Sequence, residues 1–317
     1  MKSYFSHGKI MLCGEYAVTI GLEALAVPVS VGQWMHVWEF DSPGGSDRII
    51  WEAKDSEGVS WLNESFYLPL GDVDAAVTAE NTNGMSGSGG ERETVFRMLR
   101  AASSSTWKSG KSYRIETQLE FDRNSGLGSS STMVANFARF AQLEAQTLQR
   151  NLLGGSGYDV AVAEVGKGLV FWREDDEPQW GPWSLNPALA QDWKVVFLDS
   201  KQNSRSSLGG VKARLEEIQN DDFMLHQLQQ VAGAVKMAQQ VTMLEAGLEM
   251  WQALLSMSLG LETPYQHFGI QPVKGGLCKW LGAWGGDMLL VNETFAAAHA
   301  ETLSNYKSTP WNQLVKP

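Results

Sequence analysis

The amino-acid sequence predicts a protein of mixed α and β structure with two domains. The chain has 317 residues, and at about 150 residues per domain this length favours two domains. Between Tyr113 and Phe121 the apolar residues stand at alternate positions, which is typical of a strand with one buried face. From Met133 to Leu148 the apolar residues follow helical spacing instead. Val211 to Leu259 is also rich in helical patterns, so we expect helices to dominate the second half.

Shorter patterns predict the remaining elements. Apolar runs predict strands at Ile10–Cys13, Ala24–Val31, Trp34–Phe40, Ile49–Trp51, Lys194–Leu198 and Met288–Val291. Helical spacing predicts helices at Glu93–Ala102 and Thr294–Tyr306. Residues 79–90 are rich in Gly, Ser and Asn and are interpreted as a surface loop. We expect the first domain to span residues 1–190 and the second to span residues 191–317.

The composition argues against several classes of protein. Hydrophobic residues make up 43% of the chain and charged residues 19%, which is enough apolar surface for a folded core. The formal net charge of -11 argues against nucleic acid as a partner, because phosphate neutralisation needs clustered Lys and Arg. No apolar run approaches the ~20 residues of a membrane span, and we find no signal peptide. We therefore expect a cytoplasmic protein without a membrane partner, and the sequence leaves both a monomer and a homodimer open.

The cysteines and histidines show no metal-binding pattern. Cys13 and Cys278 lie far apart in the sequence, and neither has a metal-type spacing to another ligand. The five histidines are scattered. We therefore expect two buried, reduced thiols rather than a disulfide or a zinc site.

A loop rich in Gly and Ser separates the predicted strand that ends at Phe121 from the helix predicted from Met133. It consists of Asn124, Ser125, Gly126, Leu127, Gly128, Ser129, Ser130 and Ser131. Backbone N–H groups at a helix N-terminus carry partial positive charge, and glycines let a phosphate approach them closely. The string lacks the last glycine of a dinucleotide fingerprint and the Lys of a Walker loop. Taken alone, it supports a phosphate site and an ordinary capped turn equally well.

Four other segments could carry chemistry, and each has a simpler interpretation. Asp159 follows a glycine cluster and is either a helix cap, the commoner case, or a general base. Lys9 opens a strand and is either solvated or placed beside an anion. Lys201 and Arg205 share a polar stretch that is either a solvated turn or an anion clamp. Residues 279–287 form a second Gly-rich stretch, for which a hairpin turn is the simpler interpretation.

Taken in order, these five segments resemble the motifs of the GHMP kinase superfamily, which includes galactokinase and the homoserine, mevalonate and phosphomevalonate kinases. Gly8 to Val18, followed by Ala24 to Pro28, resembles the first motif, and Ser125 to Ser131 closely resembles the second, the ATP loop. Gly282 to Gly286 resembles a degenerate third motif. Gly157 to Ala161 is similar to the Gly-Tyr-Asp-Ile-Ala string of a bacterial subgroup. Over nearly the whole chain, the resemblance implies an α+β fold with an N-terminal domain like ribosomal protein S5 domain 2, a ferredoxin-like C-terminal domain, and a site between them.

The resemblance also implies ATP and Mg²⁺ as cofactors and a small anionic metabolite as the substrate. By this resemblance Asn124 to Ser131 would hold the ATP phosphates, and Ser130 would also bind Mg²⁺. Asp159 matches the catalytic Asp, which accepts the proton of the acceptor hydroxyl, and Lys9 matches the Lys that keeps it ionised. Contacts with substrate are implied at Glu15, Tyr16, Ser156, Lys201, Arg205, Ser206, Gly282 and Ala283.

The chain departs from this pattern in two places. Mevalonate kinase has a Glu ligand for Mg²⁺ on the helix before its catalytic loop, where this chain reads Leu148-Gln149-Arg150-Asn151, with Glu144 further upstream. Trp284 and Asp287 stand in the third motif where small residues are usual. A loop with two cations suits an acceptor that bears a carboxylate or phosphate. The resemblance, more than these residues, implies a kinase for mevalonate or phosphomevalonate. A decarboxylase of the diphosphomevalonate type and a non-catalytic nucleotide-binding homologue are the alternatives.

Overall fold

The computed structural model describes residues 1–42, 47–70, 89–102, 105–198, 204–282, 284 and 287–316, with the backbone alone at residues 89 and 204–210. The chain forms two compact units that interleave along the sequence. Unit 1 comprises residues 1–8, 31–123 and 128–164, and unit 2 comprises residues 9–30, 124–127 and 165–317. The single domain boundary between residues 190 and 191 stays a prediction.

The helices and strands have the following bounds in the described part of the chain. The strands are β1 (Lys2–Cys13), β2 (Ala24–Asp41), β3 (Arg48–Lys54), β4 (Ser60–Tyr67), β5 (Lys111–Leu119), β6 (Leu169–Glu174), β7 (Glu177–Pro182), β8 (Trp193–Phe197), β9 (Cys278–Leu281), β10 (Met288–Asn292) and β11 (Lys307–Pro310). The helices are α1 (Gly89–Ala101), α2 (Ser129–Ala141), α3 (Ala145–Leu152), α4 (Tyr158–Val165), α5 (Ser204–Gln219), α6 (Asp222–Met237), α7 (Val241–Leu259), α8 (Pro264–Phe268), α9 (Glu293–Ala298), α10 (Ala300–Leu303) and α11 (Trp311–Leu314). Single 3₁₀ turns occupy Ala17–Ile20 and Pro187–Ala190.

Unit 1 packs α1 to α4 against a sheet in which β4, β3, β5 and the second half of β2 are neighbours. β3 and β5 run parallel, and the other pairs in this row are antiparallel. The predicted alternation in β5 is confirmed, because Tyr113, Ile115 and Leu119 are buried. Their apolar face meets side chains such as Val134 and Phe137 of α2, which supply the helical stripe expected from the sequence. Burial of these two periodic faces against each other is the driving force for folding of this unit.

Unit 2 contains a four-stranded antiparallel sheet in the order β11-β8-β10-β9. The first part of β2 pairs with β6, which pairs with β7. The helices α5, α6 and α7 pack on one another, and α7 also packs on β9. The predicted strands at Lys194–Leu198 and Met288–Val291 are confirmed as β8 and β10 within one residue. The predicted α+β fold class is therefore confirmed.

Three predicted elements differ from the structure. The predicted helix from Met133 to Leu148 is two helices, because Gln142 ends α2 in the left-handed region with φ 57° and Glu144 caps α3 through its side chain. The predicted strands on either side of Gly32 form one continuous strand, β2. The predicted last helix is the two short helices α9 and α10, followed by β11 and α11. The predicted loop at residues 79–90 lies outside the described residues, apart from the two glycines that begin α1.

None of the helices in the described ranges is both long enough and apolar enough to cross a membrane.

Candidate functional site

The Gly/Ser loop leads into α2 without a side-chain cap. Gly128 is the N-cap residue, with φ 95°, and it has no side chain that could accept a hydrogen bond from the first turn. Ser131 is buried and donates its hydroxyl to the Gly128 carbonyl at 2.9 Å, so this hydroxyl faces the backbone. Ser130 is exposed. A 13-residue helix that begins with glycine and serines presents its N–H groups and partial positive charge to an anion.

Lys9 of β1 holds the part of the loop before α2, at Gly126 and Leu127, through two hydrogen bonds within unit 2. Its side chain is buried, and Nζ donates to the Gly126 carbonyl at 2.9 Å. Its backbone N–H donates to the Leu127 carbonyl at 2.9 Å. These bonds exclude the simpler interpretation of Lys9 as a solvated lysine at a strand end. Lys9 brings the first motif into contact with the second.

Asp287 brings the third motif against the same loop. A Cβ atom added to Gly126 would lie 2.7 Å from Asp287 Cβ, and one added to Gly282 would lie 3.0 Å from Asp287 Oδ2. Asp287 is buried and stands directly before β10. The sequence marks this residue only as a departure from the motif pattern, so its contact with the Gly/Ser loop was not predicted. Its place after the third Gly-rich stretch was the signal available.

Gly126→Ala is expected to lower both the stability of unit 2 and its affinity for nucleotide. Gly126 has φ 76°, which costs about 1–2 kcal/mol for an L-residue, and the new methyl group would collide with Asp287. Gly110→Ala is the matched control, because Gly110 has φ 75° and no atom within 4 Å of an added Cβ. Urea unfolding and calorimetric titration with MgATP would measure both effects. Equal losses in the two variants would exclude the packing of Asp287 as the cause.

Tyr16 provides a second contact between the first and third motifs. The backbone N–H of Trp284 donates to the Tyr16 hydroxyl at 3.2 Å, and the two rings lie 6.5 Å apart. Tyr16 is mostly buried and has φ 56°, a backbone conformation uncommon outside glycine. Its hydroxyl lies at the third motif, and the predicted contact with substrate stays a prediction.

Glu15 is a partner in a buried ion pair. Its carboxylate accepts hydrogen bonds from Lys279 Nζ and, at 2.8 Å, from Trp251 Nε1. Lys279 is fully buried and also donates to the Trp280 carbonyl at 2.8 Å. Both carboxylate oxygens are therefore engaged away from solvent. Glu15 therefore takes part in the packing of unit 2, and its predicted contact with substrate stays a prediction.

The glycine loop before Asp159 is held by two glutamines of α3. Gln146 Nε2 donates to the Gly157 carbonyl at 3.1 Å, and Gln149 Nε2 donates to the Gly154 carbonyl at 3.3 Å. Asp159 lies in the first turn of α4 and accepts the backbone N–H of Val160 at 3.0 Å. Both glutamines are buried. They position the Asp159 loop, and the sequence did not predict this role.

The remaining predicted residues are distributed as follows. Ser156 precedes α4 in the same loop as Asp159 and is partly buried. Arg205 and Ser206 belong to the first turn of α5, so the predicted loop is helical from Ser204 onward. Lys201 and Ala283 lie outside the described residues. Lys9 and Asp159 belong to different compact units, and their predicted pairing stays a prediction.

The two thiols are buried and free, as predicted. Burial raises the pKa of the Cys13 thiol well above its ordinary value, and the nearby Glu15 carboxylate raises it further. Burial likewise raises the pKa of Cys278, with a smaller contribution from Glu249. Burial and the raised pKa therefore favour the protonated form of both thiols, which is the less reactive form.

The donor set fits Mg²⁺ only in combination with nucleotide phosphates. Across the described residues, no group of three His, Cys, Asp or Glu side chains could hold a metal ion. The Glu144 carboxylate accepts the backbone N–H groups of Gln146 and Thr147. Ser130 offers a hydroxyl at the start of α2, and hydroxyl oxygen suits Mg²⁺. Mg²⁺ commonly binds proteins through few side chains together with substrate phosphates, and the Ser130 hydroxyl with nucleotide phosphates would be a set of that kind.

No protein-family model and no curated protein sequence matches this chain. Solved structures match it over nearly the whole length. The mevalonate kinase of Methanococcus jannaschii is 15% identical at a TM-score of 0.63, and the match covers 97% of this chain and 96% of that one. The phosphomevalonate kinase of Streptococcus pneumoniae, in complex with phosphomevalonate and AMPPNP, is 16% identical at a TM-score of 0.62, with coverages of 96% and 95%. The galactokinase of Lactococcus lactis, complexed with galactose, is 13% identical at a TM-score of 0.60, with coverages of 97% and 92%. The chain has the GHMP kinase fold.

The GHMP kinase fold confirms the resemblance drawn from the motifs. Within this chain Lys9, Gly126 and Asp287, which lie far apart in the sequence, meet at one loop. The matching structures carry the names of kinases for mevalonate, phosphomevalonate and a sugar. The GHMP kinase fold alone therefore does not select an acceptor.

Proposed function

We propose that this chain is an ATP-dependent kinase that transfers the γ-phosphoryl group to a small anionic metabolite, with mevalonate or phosphomevalonate as the acceptor. The main support for the proposal is that residues of all three motifs contact one another within unit 2. Lys9 and Asp287 both contact Gly126, and Tyr16 contacts Trp284. A structural glycine turn would not need a buried lysine on its carbonyl or a second loop packed against it.

We assign the binding of the ATP phosphates to the N-terminus of α2. The loop from Asn124 to Ser131 leads into a helix whose N-cap is a glycine without a side-chain cap, and the N–H groups and dipole of a helix N-terminus favour phosphate oxygens. The bond from Lys9 to Gly126 fixes the loop before nucleotide binds, and a fixed loop loses less conformational entropy on binding. Ser130 would hold Mg²⁺, which when bound neutralises charge on the phosphates.

Asp159 is assigned the role of general base. The α3 glutamines and the hydrogen bond from Val160 hold its loop and its carboxylate. Asp159 would accept the proton of the acceptor hydroxyl as the phosphoryl group is transferred. Because most of the catalysis of phosphoryl transfer is positioning and electrostatics, these supporting glutamines are expected to affect turnover as well.

Charge and the matching structures support an anionic acceptor. The phosphomevalonate kinase that shares this fold was solved with phosphomevalonate and AMPPNP. The stretch that includes Lys201 and Arg205 supplies cations in a chain of net charge -11, and a carboxylate or phosphate on the acceptor would match them.

One observation favours a non-catalytic nucleotide-binding protein as the second candidate. The α3 helix carries Gln146 and Gln149 beside the glycine loop, and the Glu144 carboxylate caps the helix. Within the described ranges, no carboxylate cluster is available for the metal. Such a protein would bind MgATP without turnover.

Release of ADP from MgATP tests the proposal. The acceptors to compare are mevalonate, phosphomevalonate, diphosphomevalonate, galactose and homoserine, with calorimetric titration of MgATP run in parallel. Turnover with mevalonate or phosphomevalonate supports the proposal, and CO₂ released from diphosphomevalonate would indicate a decarboxylase instead. Binding of MgATP without turnover on any acceptor would favour the non-catalytic protein. Failure to bind MgATP would contradict both candidates.

A further inference from the structure

Arg139 joins helix α2 to helix α4 inside unit 1. It lies in the last turn of α2, and its Nη2 donates to the Ala163 carbonyl at 2.8 Å and to the Glu164 carbonyl at 3.0 Å. These two carbonyls belong to the last turn of α4, which ends at Val165. The last four carbonyls of a helix have no partner within the helix and carry partial negative charge. The guanidinium therefore binds α4 at the end that attracts a cation.

The other side of the Arg139 guanidinium is bound to strand β1. Arg139 Nη1 donates to the Phe5 carbonyl at 2.7 Å and to the Ser6 hydroxyl at 2.9 Å. A guanidinium is planar and presents its N–H groups in a fixed fork, so the bonds on one side set the direction of the bonds on the other. Arg139 therefore fixes α4 against β1 as well as against α2.

A chain of buried hydrogen bonds connects this point with the start of α2. The Ser6 hydroxyl donates to Asn136 Oδ1 at 2.8 Å, and Asn136 Nδ2 donates to the Gln33 backbone carbonyl at 2.8 Å. The Thr132 hydroxyl, in the first turn of α2, donates to Gln33 Oε1 at 2.8 Å. All four residues are at most 2% exposed. Satisfied buried polar networks rigidify the parts that they join, so α2 is held to β1 and β2 from its first turn to Arg139.

Helix α4 depends on contacts of this kind for its position. It has eight residues, and isolated helices shorter than ~12 residues are marginal in water. Its buried residues, 160–163, are all Val or Ala, and the burial of apolar surface is not directional. The bonds from Arg139 are directional. They act at the end of α4 opposite Asp159, about 7.5 Å away along the axis, so a shift of α4 along its axis would move Asp159 by the same distance.

We propose that Arg139 is a positioning residue that holds the Asp159 carboxylate in place relative to the start of α2. The inference rests on the proposed function, in which the start of α2 binds the ATP phosphates and Asp159 accepts the proton of the acceptor hydroxyl. Phosphoryl transfer needs the attacking and leaving oxygens in line. A displacement of about 1 Å caused by a remote substitution can cost ~10²-fold in rate. Arg139 acts on the reaction through the position of α4.

Arg139→Met in the full-length chain tests the proposal through kinetics. Methionine keeps an apolar stem and removes the bonds to Ala163 and Glu164. We expect kcat for ADP release to fall about 10²-fold. KM for MgATP is expected to stay within about twofold, because the bonds that Thr132 and Asn136 make to β2 remain. Arg139→Lys keeps the cation but loses the fork, so its kcat is expected to lie between those of Arg139→Met and the wild type.

Arg92→Gln is the matched control for general destabilisation of unit 1. Arg92 Nε donates to Glu64 Oε2 at 2.9 Å, and this ion pair joins α1 to β4. The variant therefore loses an arginine contact within the same unit, and its kcat is expected to stay near the wild-type value. A loss of kcat as large as that in Arg139→Met would identify destabilisation of the unit, rather than the position of α4, as the cause.

Amide hydrogen exchange measures the hold on α4 without an acceptor. In Arg139→Met the amides of α4 are expected to exchange about tenfold faster than in the wild type, whereas those of β3 and β5 keep their wild-type rates. A wild-type chain without turnover on any acceptor would overturn the proposed function and the catalytic part of this inference, and exchange would still show whether Arg139 holds α4.

Three results would overturn the positioning role of Arg139 in an active enzyme. The first is wild-type exchange of α4 in Arg139→Met. The second is exchange that rises equally across unit 1. The third is a kcat in Arg139→Met that stays within about twofold of the wild type.

Discussion

Asp159→Asn is expected to lower turnover by about 10²–10⁴-fold while MgATP affinity stays nearly unchanged. Asparagine keeps the shape of the side chain and can still accept the N–H of Val160, a bond that Asp159 makes at 3.0 Å. It cannot accept the proton of an acceptor hydroxyl. Steady-state ADP release and calorimetric titration with MgATP separate the two effects.

The same substitution distinguishes a base from a helix cap. Asparagine caps helices about as well as aspartate, so a residue that only capped α4 would tolerate it. Asp221→Asn is the matched control, because Asp221 caps α6 by accepting the N–H of Met224 at 3.0 Å. We expect that variant to turn over normally. Near-normal turnover in Asp159→Asn would remove Asp159 from the mechanism.

Local periodicity was sufficient to predict most of the elements. The alternation from Tyr113 to Phe121 and the apolar runs at β8 and β10 predicted strands that the structure contains. The break between α2 and α3 was missed because Gln142 is an ordinary residue for a helix, and its φ of 57° depends on the packing around it. The motifs predicted the fold because they have a fixed order along the chain.

Contacts between residues far apart in the chain could not be predicted from the sequence. The pairing of Glu15 with Lys279 joins residues separated by 264 positions, and no local pattern marks either of them as buried. Asp287 lies against Gly126 for the same kind of reason, since only the folded sheet brings β1, the loop and β10 together. Gln146 and Gln149 were missed because neutral amides carry no charge signal, although their spacing places both on one face of α3.

Lys279→Met is expected to lower the free energy of unfolding by about 3–5 kcal/mol, which is the cost of leaving one member of a buried ion pair without its partner. Lys279 is fully buried and Glu15 is 3% exposed, so water cannot replace the lost ammonium. Methionine preserves most of the volume of the side chain, which keeps the cost of a cavity small. Urea unfolding followed by tryptophan fluorescence measures the loss.

Glu15→Gln in the Lys279→Met background is expected to recover most of that stability. Glutamine removes the uncompensated charge and still accepts the Trp251 indole N–H, which Glu15 accepts at 2.8 Å. A penalty that persisted in the double variant would show that the charge was not its cause. Because the double variant should fold, its kinetics also test the role of Glu15. A structural partner predicts an unchanged KM for the acceptor, whereas a direct contact with substrate predicts that KM rises with the loss of the carboxylate.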